Sequence, residues 1–376
     1  VRIELYIFAF ISVAYGTFIT LAIIGFGKLN RIVKNSSLID PSFISIVISA
    51  RNEYQNIEKC LQQIIKQNFP KNGFELILID DASEDETYNI AYKMLAQSGL
   101  THQIIKQTKH QGKKQNLSLA IKKSKGSIII TSDADVIYRH NDWLLTISNY
   151  FKTYSPNLLI MPIDFETHAG VLETFQIVEN LALTGITAGY SGIKKPFMCN
   201  GANLAFKKSA FDLVSGYDSH LHISSGEDVF LMEDIKKINP TSIHYGLLRE
   251  LIVKTEPLNN IQSLLSQRIR WASKAKDNSN YLNLFAGFII LATNLLFLAL
   301  FVAILKKSVI IPYLSIFVLA KFVFDFLLLF LASDFLGRKK NIWWLIPFEC
   351  IYWLYALFVG TASLFLKPYW KGKKIN

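Results

Sequence analysis

The sequence predicts an α/β domain with a mainly parallel sheet and helices on both faces, flanked by helices that cross a membrane. Three observations carry this. Short β-branched runs alternate with segments of helical periodicity between about residues 41 and 280. Paired acidic residues sit just past the ends of two of those runs, at Asp80–Asp81 and Asp133–Asp135. Long apolar runs lie outside this region, one before it and three after it.

The first apolar run covers residues 5–26. At about 1.5 Å per residue it spans a hydrocarbon core of roughly 30 Å. Its leading end carries only Arg2 and no clear small-x-small cleavage site follows, so it reads as a retained anchor rather than a signal peptide. Lys28, Arg31 and Lys34 come next and place that flank in the cytoplasm by the positive-inside tendency.

The soluble pattern then begins. Residues 43–49 (FISIVIS), 74–79 (FELILI), 104–108 and 127–131 (SIIIT) read as strands. Residues 53–67, with Ile57, Leu61, Ile64 and Ile65 on one face, read as a helix. So do residues 83–95, with Ser83 as the cap, and 117–123. In such sheets ligands gather beyond the carboxyl ends of the strands. That brings together residues 50–52, Asp80–Asp81 and Asp133–Asp135, which are distant in sequence. Residues 170–190 have apolar residues at helical spacing and read equally as an interfacial helix or a core helix.

Three apolar runs follow, at about 284–305, 309–332 and 342–366. If every run crosses, the tail with Lys367, Lys371, Lys373 and Lys374 lies outside, against the positive-inside tendency. The last run, rich in Trp and Tyr and holding Glu349, is therefore the one expected to lie in the interface or re-enter. Lys321 and Asp325 stand four apart in the third run and read as a pair that satisfies itself or packs against neighbouring helices. The expected domains are an anchor at 1–34, a cytoplasmic domain with interfacial helices at 35–280, and a membrane region of two or three helices with a basic tail at 281–376.

The chain of 376 residues is 51% hydrophobic, enough for one soluble domain plus membrane segments. Its net charge of +11 points to an anionic membrane surface or an anionic substrate. A nucleic-acid binder is disfavoured, because part of the excess lies beside the apolar runs. Cys60, Cys199 and Cys350 are far apart and form no C-x-x-C pair, which argues against a disulfide framework or a zinc site.

The residues suited to chemistry form an ordered series. In IIITSDADV, Asp133 and Asp135 end a strand two residues apart, so an extended chain puts both on one side. Such a pair attracts a hard cation such as Mg²⁺ or Mn²⁺; alone, it also fits a solvated strand-end turn. The segment LIDDASEDET and the basic run Gly112–Lys113–Lys114 carry the same two readings, ligand contact or surface loop. There is no P-loop and no G-x-G-x-x-G after a strand. Gly226–Glu227–Asp228 offers a general base, or simply an acidic first turn on a helix at 229–238. Within QRIRW (267–271), Arg suits phosphate and Trp suits a sugar or acyl chain. A basic interfacial helix accounts well for Arg268, Lys274 and Lys276, and less well for Gln267, Arg270 and Trp271.

Taken in order, ISIVISARNE, DDASEDET, GKKQNLSLA, SDAD, CNGANLAFKK, GED and QRIRW resemble the family two nucleotide-sugar glycosyltransferases of the GT-A fold, from about residue 45 to 271. The flanking runs resemble the membrane-bound branch, with its ceramide glucosyltransferase-like, carotenoid and lipid glycosyltransferases and polysaccharide synthases. The sequence departs mildly from the family pattern at Ala82–Ser83, where many members have Gly-Ser or Ser-Ser, and at Tyr54.

The resemblance implies an inverting transferase at the bacterial inner membrane, with its catalytic domain in the cytoplasm. The donor would be a nucleotide-sugar, by default a UDP-sugar, and the acceptor a lipid or lipid-linked hydroxyl. Mg²⁺ or Mn²⁺ would be the cofactor, and nucleic acid would not be a partner. Ala50, Arg51 and Glu53 would line the nucleotide pocket, Asp81 would contact the uracil ring and Lys113 would hold the nucleotide. Asp133 would lie near the ribose or sugar, and Asp135 would bind the metal. Asp228 would be the base, supported by Glu227. Gln267, Arg270 and Trp271 would meet the diphosphate and acceptor, and Gly201, Ala202 and Asn203 would line the sugar pocket. The alternatives are a processive polysaccharide synthase, for which the apolar runs supply few channel helices, and a non-catalytic scaffold, against which the intact motifs argue.

Overall fold

The protein is described by a computed structural model covering residues 2–29, 42–220, 226–273 and 280–366, with two short strands at 369–370 and 373–374. Arg31, Lys34, Lys274, Lys276, Lys367 and Lys371, part of the charge pattern above, lie outside the described residues.

In chain order the helices are α1 (Arg2–Lys28), α2 (Ile57–Ile65), α3 (Thr87–Ser98), α4 (Lys113–Lys123), α5 (Trp143–Tyr154), α6 (Val171–Gly192), α7 (Lys208–Leu213), α8 (Glu227–Ile238), α9 (Ile261–Ser273), α10 (Tyr281–Leu305), α11 (Ile311–Leu336) and α12 (Leu345–Phe365). The strands are β1 (Ile44–Ala50), β2 (Phe74–Asp80), β3 (Thr101–Lys106), β4 (Ile128–Ser132), β5 (Ile137–Tyr138), β6 (Leu158–Ile160), β7 (Ile163–Phe165), β8 (Asn203–Lys207), β9 (Ile243–Tyr245), β10 (Val253–Thr255), β11 (Tyr369–Trp370) and β12 (Lys373–Lys374).

The chain divides into two compact units. One comprises residues 29–166 and 194–256, the other 1–28, 167–193 and 257–376. This division differs from a cut at residues 34 and 280: α6 and α9 group with the long apolar helices.

The α/β unit is built on a seven-stranded sheet of order β3-β2-β1-β4-β8-β6-β9. The strands β3, β2, β1 and β4 pair in parallel, and β8 runs antiparallel to both β4 and β6. β1, β2 and β4 are buried along almost their whole length, as the uninterrupted Ile, Val and Leu runs require of strands covered on both faces. The core joins Ile44, Ile46 and Ile48 of β1 to Ile57, Leu61 and Ile64 of α2 and to Trp143, Leu144 and Ile147 of α5. A smaller sheet, β5-β10-β7, stands beside it in the same unit.

The second unit holds four helices long and apolar enough to cross a membrane: Glu4–Lys28, Tyr281–Leu305, Ile311–Leu336 and Lys339–Phe365. The last, expected to lie in the interface or re-enter, holds Glu349, whose carboxylate is paired with the Lys321 ammonium of α11; that ammonium also meets Asp325 Oδ2 at 2.6 Å, the pairing expected from their spacing. Asp325 in turn accepts from the Tyr15 hydroxyl of α1. α6 packs directly on α1: a Cβ at Gly189 would lie 2.2 Å from the Ala22 carbonyl oxygen, so only glycine permits this approach.

Candidate active site

Parallel pairing sets the geometry of the α/β unit. Ala50 lies opposite Asp80, and Ile48 opposite Ser132. The segments leaving β1, β2 and β4, at 51–54, 81–86 and 133–135, therefore emerge at one edge of the sheet.

The first two segments are laced together. The Asn52 N–H donates to Ser83 Oγ (3.0 Å), and the Glu84 N–H donates back to Asn52 Oδ1 (2.9 Å). The Glu53 N–H donates to Thr87 Oγ1 (2.7 Å) and the Tyr54 N–H to Asp85 Oδ2 (3.2 Å). Arg51 Nη2 stands 3.8 Å from Glu84 Oε1. Ser83 was expected to cap a helix, but α3 starts only at Thr87, and the Ser83 hydroxyl serves the neighbouring turn. Asn52 and Ala82 both have φ near +54°. Asparagine tolerates the left-handed region, whereas alanine pays for it sterically.

Asp81 is buried, and its carboxylate organises the loop before α4. It accepts from the N–H groups of Gln111 (2.7 Å) and Gly112 (3.1 Å), with His110 Nδ1 2.7 Å away. Burial alone would raise the Asp81 carboxyl; the Gln111 amide, Asn116, His110 and the Gly112 amide outweigh that and hold it below the usual range. Gly112 has φ +93°, which lets the loop turn its N–H onto Asp81. Both Asp81 oxygens are thus engaged within the chain, and a base contacting this carboxylate would share them with the loop.

Lys113, the first residue of α4, links the two acidic clusters. Its Nζ is 2.5 Å from Asp133 Oδ1 and 3.4 Å from Glu227 Oε1. Burial pulls its ammonium down, but Asp133, Glu227 and Asp228 more than compensate and hold it above the ordinary lysine range. Asp135 is pushed up to about 7, first by burial and then by Asp133 and Glu53. Cys60 is buried beneath this turn, its Sγ 3.9 Å from the Asp133 carbonyl oxygen. Burial, Asp135, Asp133 and Glu53 push its thiol up, which disfavours a thiolate nucleophile.

A divalent cation fits this donor set. Burial first, and then Asp133 and Glu53, raise Asp135, and a cation beside it would offset both the lost solvation and the repulsion. Among the described residues no three His, Cys, Asp or Glu side chains converge as a ready-made cage. The ion would therefore be held by Asp135 together with donor phosphate and water, the usual habit of Mg²⁺-type sites.

Glu227 and Asp228 open α8. Asp228 Oδ2 accepts from the Gly201 N–H at 2.8 Å, and Oδ1 from its neighbour Val229 N–H at 2.9 Å. The general-base candidate is thereby fixed to the turn 200–202 that precedes β8. In that turn the Ala202 N–H donates to Asn200 Oδ1 at 3.0 Å. Asn203 is fully buried and bonds inward: its amide donates to the carbonyls of Pro162 (2.8 Å) and Leu251 (2.9 Å) and accepts from Trp143 Nε1. Its share in a pocket would come through its place in the turn rather than through its side chain.

The α/β unit thus brings together Ala50, Arg51, Glu53, Asp81, Lys113, Asp133, Asp135, Glu227, Asp228 and Gly201–Asn203. Gln267, Arg270 and Trp271 lie on α9 in the other unit. Within it, Gln267 accepts from the Arg268 guanidinium, which stacks on the Trp271 ring at 4.3 Å. Arg268, expected to be a basic interfacial residue, is buried.

A parallel sheet with acidic loops at its carboxyl edge, continued by antiparallel strands, is the GT-A architecture. Residues 45–213 match the model of Glycosyl transferase family 2. Glycosyltransferase AglE of Haloferax volcanii is 25% identical over 187 residues, covering 49% of this chain and 59% of AglE. Poly(ribitol-phosphate) beta-N-acetylglucosaminyltransferase TarS of Staphylococcus aureus is 30% identical over 128 residues, 34% of this chain and 22% of TarS. The chain thus spans less than two thirds of each of these relatives. Among solved structures, mannosyltransferase PcManGT from Pyrobaculum calidifontis, in complex with GDP-Man and Mn²⁺, superposes with a TM-score of 0.61 at 15% identity. That likeness covers 96% of this chain and 99% of PcManGT, and it is one of fold.

Proposed function

We propose that the protein is an inverting, metal-dependent glycosyltransferase. It moves a sugar from a nucleotide-sugar, by preference a UDP-sugar, onto a lipid or lipid-linked hydroxyl at the membrane, with its α/β unit in the cytoplasm. The observation that carries the reading is the Lys113 bridge. It joins the D-x-D turn to the turn bearing Glu227 and Asp228, so a donor held at one would present its sugar to the other.

In the proposed reaction Asp228 accepts the proton of the acceptor hydroxyl as that oxygen attacks C1 of the sugar. The new C1–O bond forms on the face opposite the breaking bond to the diphosphate, which leaves with the electron pair. Glu227 keeps Lys113 beside the reacting groups. Ala50, Arg51, Glu53 and Asp81 line the nucleotide pocket, Asp133 lies near the ribose or sugar, and the turn Gly201–Asn203 shapes the sugar pocket. Gln267, Arg270 and Trp271 contact diphosphate and acceptor. A metal on Asp135 supplies Lewis-acid stabilisation of the leaving diphosphate. The four helices able to cross a membrane support a lipid acceptor, because such an acceptor need not leave the bilayer.

The test is nucleoside diphosphate release by detergent-purified protein with Mn²⁺ or Mg²⁺, across UDP- and GDP-sugars, with and without a membrane-lipid extract. Release that requires metal, one donor and the extract, and yields a lipid bearing a single added sugar, is the expected result. Release without lipid, or a polymeric product, overturns the lipid-transfer reading.

A further inference from the structure

Arg268 is the second residue of QRIRW, and its surroundings are unlike those of a surface arginine. Its side chain is only 6% exposed. Nε and Nη2 both donate to Glu179 Oε2 of α6, at 2.8 and 2.5 Å. Nη1 donates to the Gln267 side-chain oxygen. The guanidinium face lies 4.3 Å from the centre of the Trp271 ring. Glu179 is itself fixed from a third helix, because the Tyr355 hydroxyl of α12 donates to Oε1 at 2.9 Å. One planar, permanently charged group therefore touches two of the three motif side chains assigned to the diphosphate and acceptor, and anchors them to α6 and α12.

We propose that Arg268 is a positioning residue of the transfer reaction: held by Glu179 and Tyr355, it sets the orientation of Gln267 and Trp271. Lysine would not replace it. A point ammonium offers no second edge for Gln267 while holding Glu179, and no plane to stack on indole. The Glu179 carboxylate neutralises Arg268, and Arg270 is the motif arginine assigned to the donor. The inference rests on the proposed role of Gln267 and Trp271.

Loss of orientation acts on turnover more than on donor binding, and misplacement by about 1 Å costs up to about 100-fold. The experiment compares wild type with Arg268→Lys, Tyr355→Phe, the pair Gln267→Ala with Trp271→Ala, and the triple combination. It measures kcat, donor KM and the thermal unfolding midpoint in detergent. We expect kcat to fall about 10- to 100-fold in Arg268→Lys, with donor KM within about threefold of wild type. Tyr355→Phe, which removes one hydroxyl, should lose a smaller part of kcat in the same direction. Adding Arg268→Lys to the Gln267/Trp271 pair should cost less than about threefold more, because groups acting as a unit are non-additive. Wild-type kcat in Arg268→Lys and Tyr355→Phe, with the Gln267/Trp271 pair crippled, overturns this proposal alone. So does a fully additive loss, which marks Arg268 as structural only. Wild-type kcat in the Gln267/Trp271 pair overturns the motif's role, and this proposal with it.

Discussion

Asp228→Asn would ordinarily be taken as a clean removal of the base, yet the geometry says it is not. Both carboxylate oxygens of Asp228 accept backbone N–H groups, from Gly201 at 2.8 Å and Val229 at 2.9 Å. Asparagine has one oxygen and one NH₂ group, so one of those backbone donors must face another donor. An unsatisfied, partly buried donor costs about 1–3 kcal/mol, and bonds to a charged acceptor fall in the upper part of that range. For a unit of this size the unfolding midpoint should drop by about 2–4 °C for each kcal/mol. Loss of a general base should lower turnover by about 100- to 10,000-fold.

Asp228→Ala provides the contrast. It leaves both backbone donors without a side-chain acceptor, so its stability loss should exceed that of Asp228→Asn, while its turnover should be equally low. The assays are initial rates of nucleoside diphosphate release, detergent thermal unfolding, and nucleotide affinity by titration, which should stay near wild type in both variants. Turnover within about tenfold of wild type in Asp228→Asn would remove Asp228 from the base role. Turnover that tracks the stability loss across the two variants would show instead that Asp228 acts by holding the turn at Gly201.

Three further outcomes follow from particular contacts. Lys321→Met strands the Asp325 and Glu349 carboxylates inside the helical unit and should cost about 3–5 kcal/mol. Combining it with Asp325→Leu, Glu349→Leu and Tyr15→Phe should recover most of that loss, and detergent melting of the two variants decides. Ala82→Gly relieves a left-handed alanine at φ +54°. The relief of about 1–2 kcal/mol exceeds glycine's entropic cost of about 0.5–1, so the midpoint should rise by a few degrees. His244 is lowered to about 4, by burial first and then by Lys194. Between pH 4 and the ordinary value of about 6.5 the unfolded chain binds a proton that the folded chain does not. Its stabilising effect is therefore full above about 6.5 and is lost as pH falls towards 4; melting curves across that window should slope less steeply in His244→Phe.

The sheet and its acidic edge were legible because both depend on local pattern. A buried parallel strand needs an uninterrupted apolar run, and β1, β2 and β4 have one. Parallel register then fixes where Asp81, Asp133 and Asp135 emerge. The helix starts were less legible, and the reason is chemical. Residues 53–56 and 83–86 have the Ser, Asp, Asn and Glu composition of a helical first turn. In the fold, Ser83 spends its hydroxyl on the backbone of the neighbouring turn, and Asp85 divides its carboxylate between that turn and the Thr87 N–H that opens its own helix. A polar residue that competes for backbone donors reads the same whether the donors are its own or a neighbour's.

Charges inside apolar segments are legible only in part: the Lys321–Asp325 pair, four apart in one run, is found as expected, whereas a partner on another helix leaves no local signal. Glu349 counted against its run because an isolated carboxylate is costly in hydrocarbon. That cost belongs to an unpaired group, and Glu349 has Lys321 as its partner, 28 positions earlier on another helix. Arg268 repeats the case: its partner Glu179 is 89 positions away, and Tyr355 is 176 positions beyond Glu179. Desolvation is a property of a residue and its neighbours together, so hydropathy summed along one segment counts the penalty and omits the compensation. A lone charge in an apolar run is therefore better treated as a search for its opposite elsewhere in the chain. Here Glu349 and Asp325 meet Lys321, and Glu179 meets Arg268, which puts a charged pin in the helical unit and a second one behind the QRIRW helix.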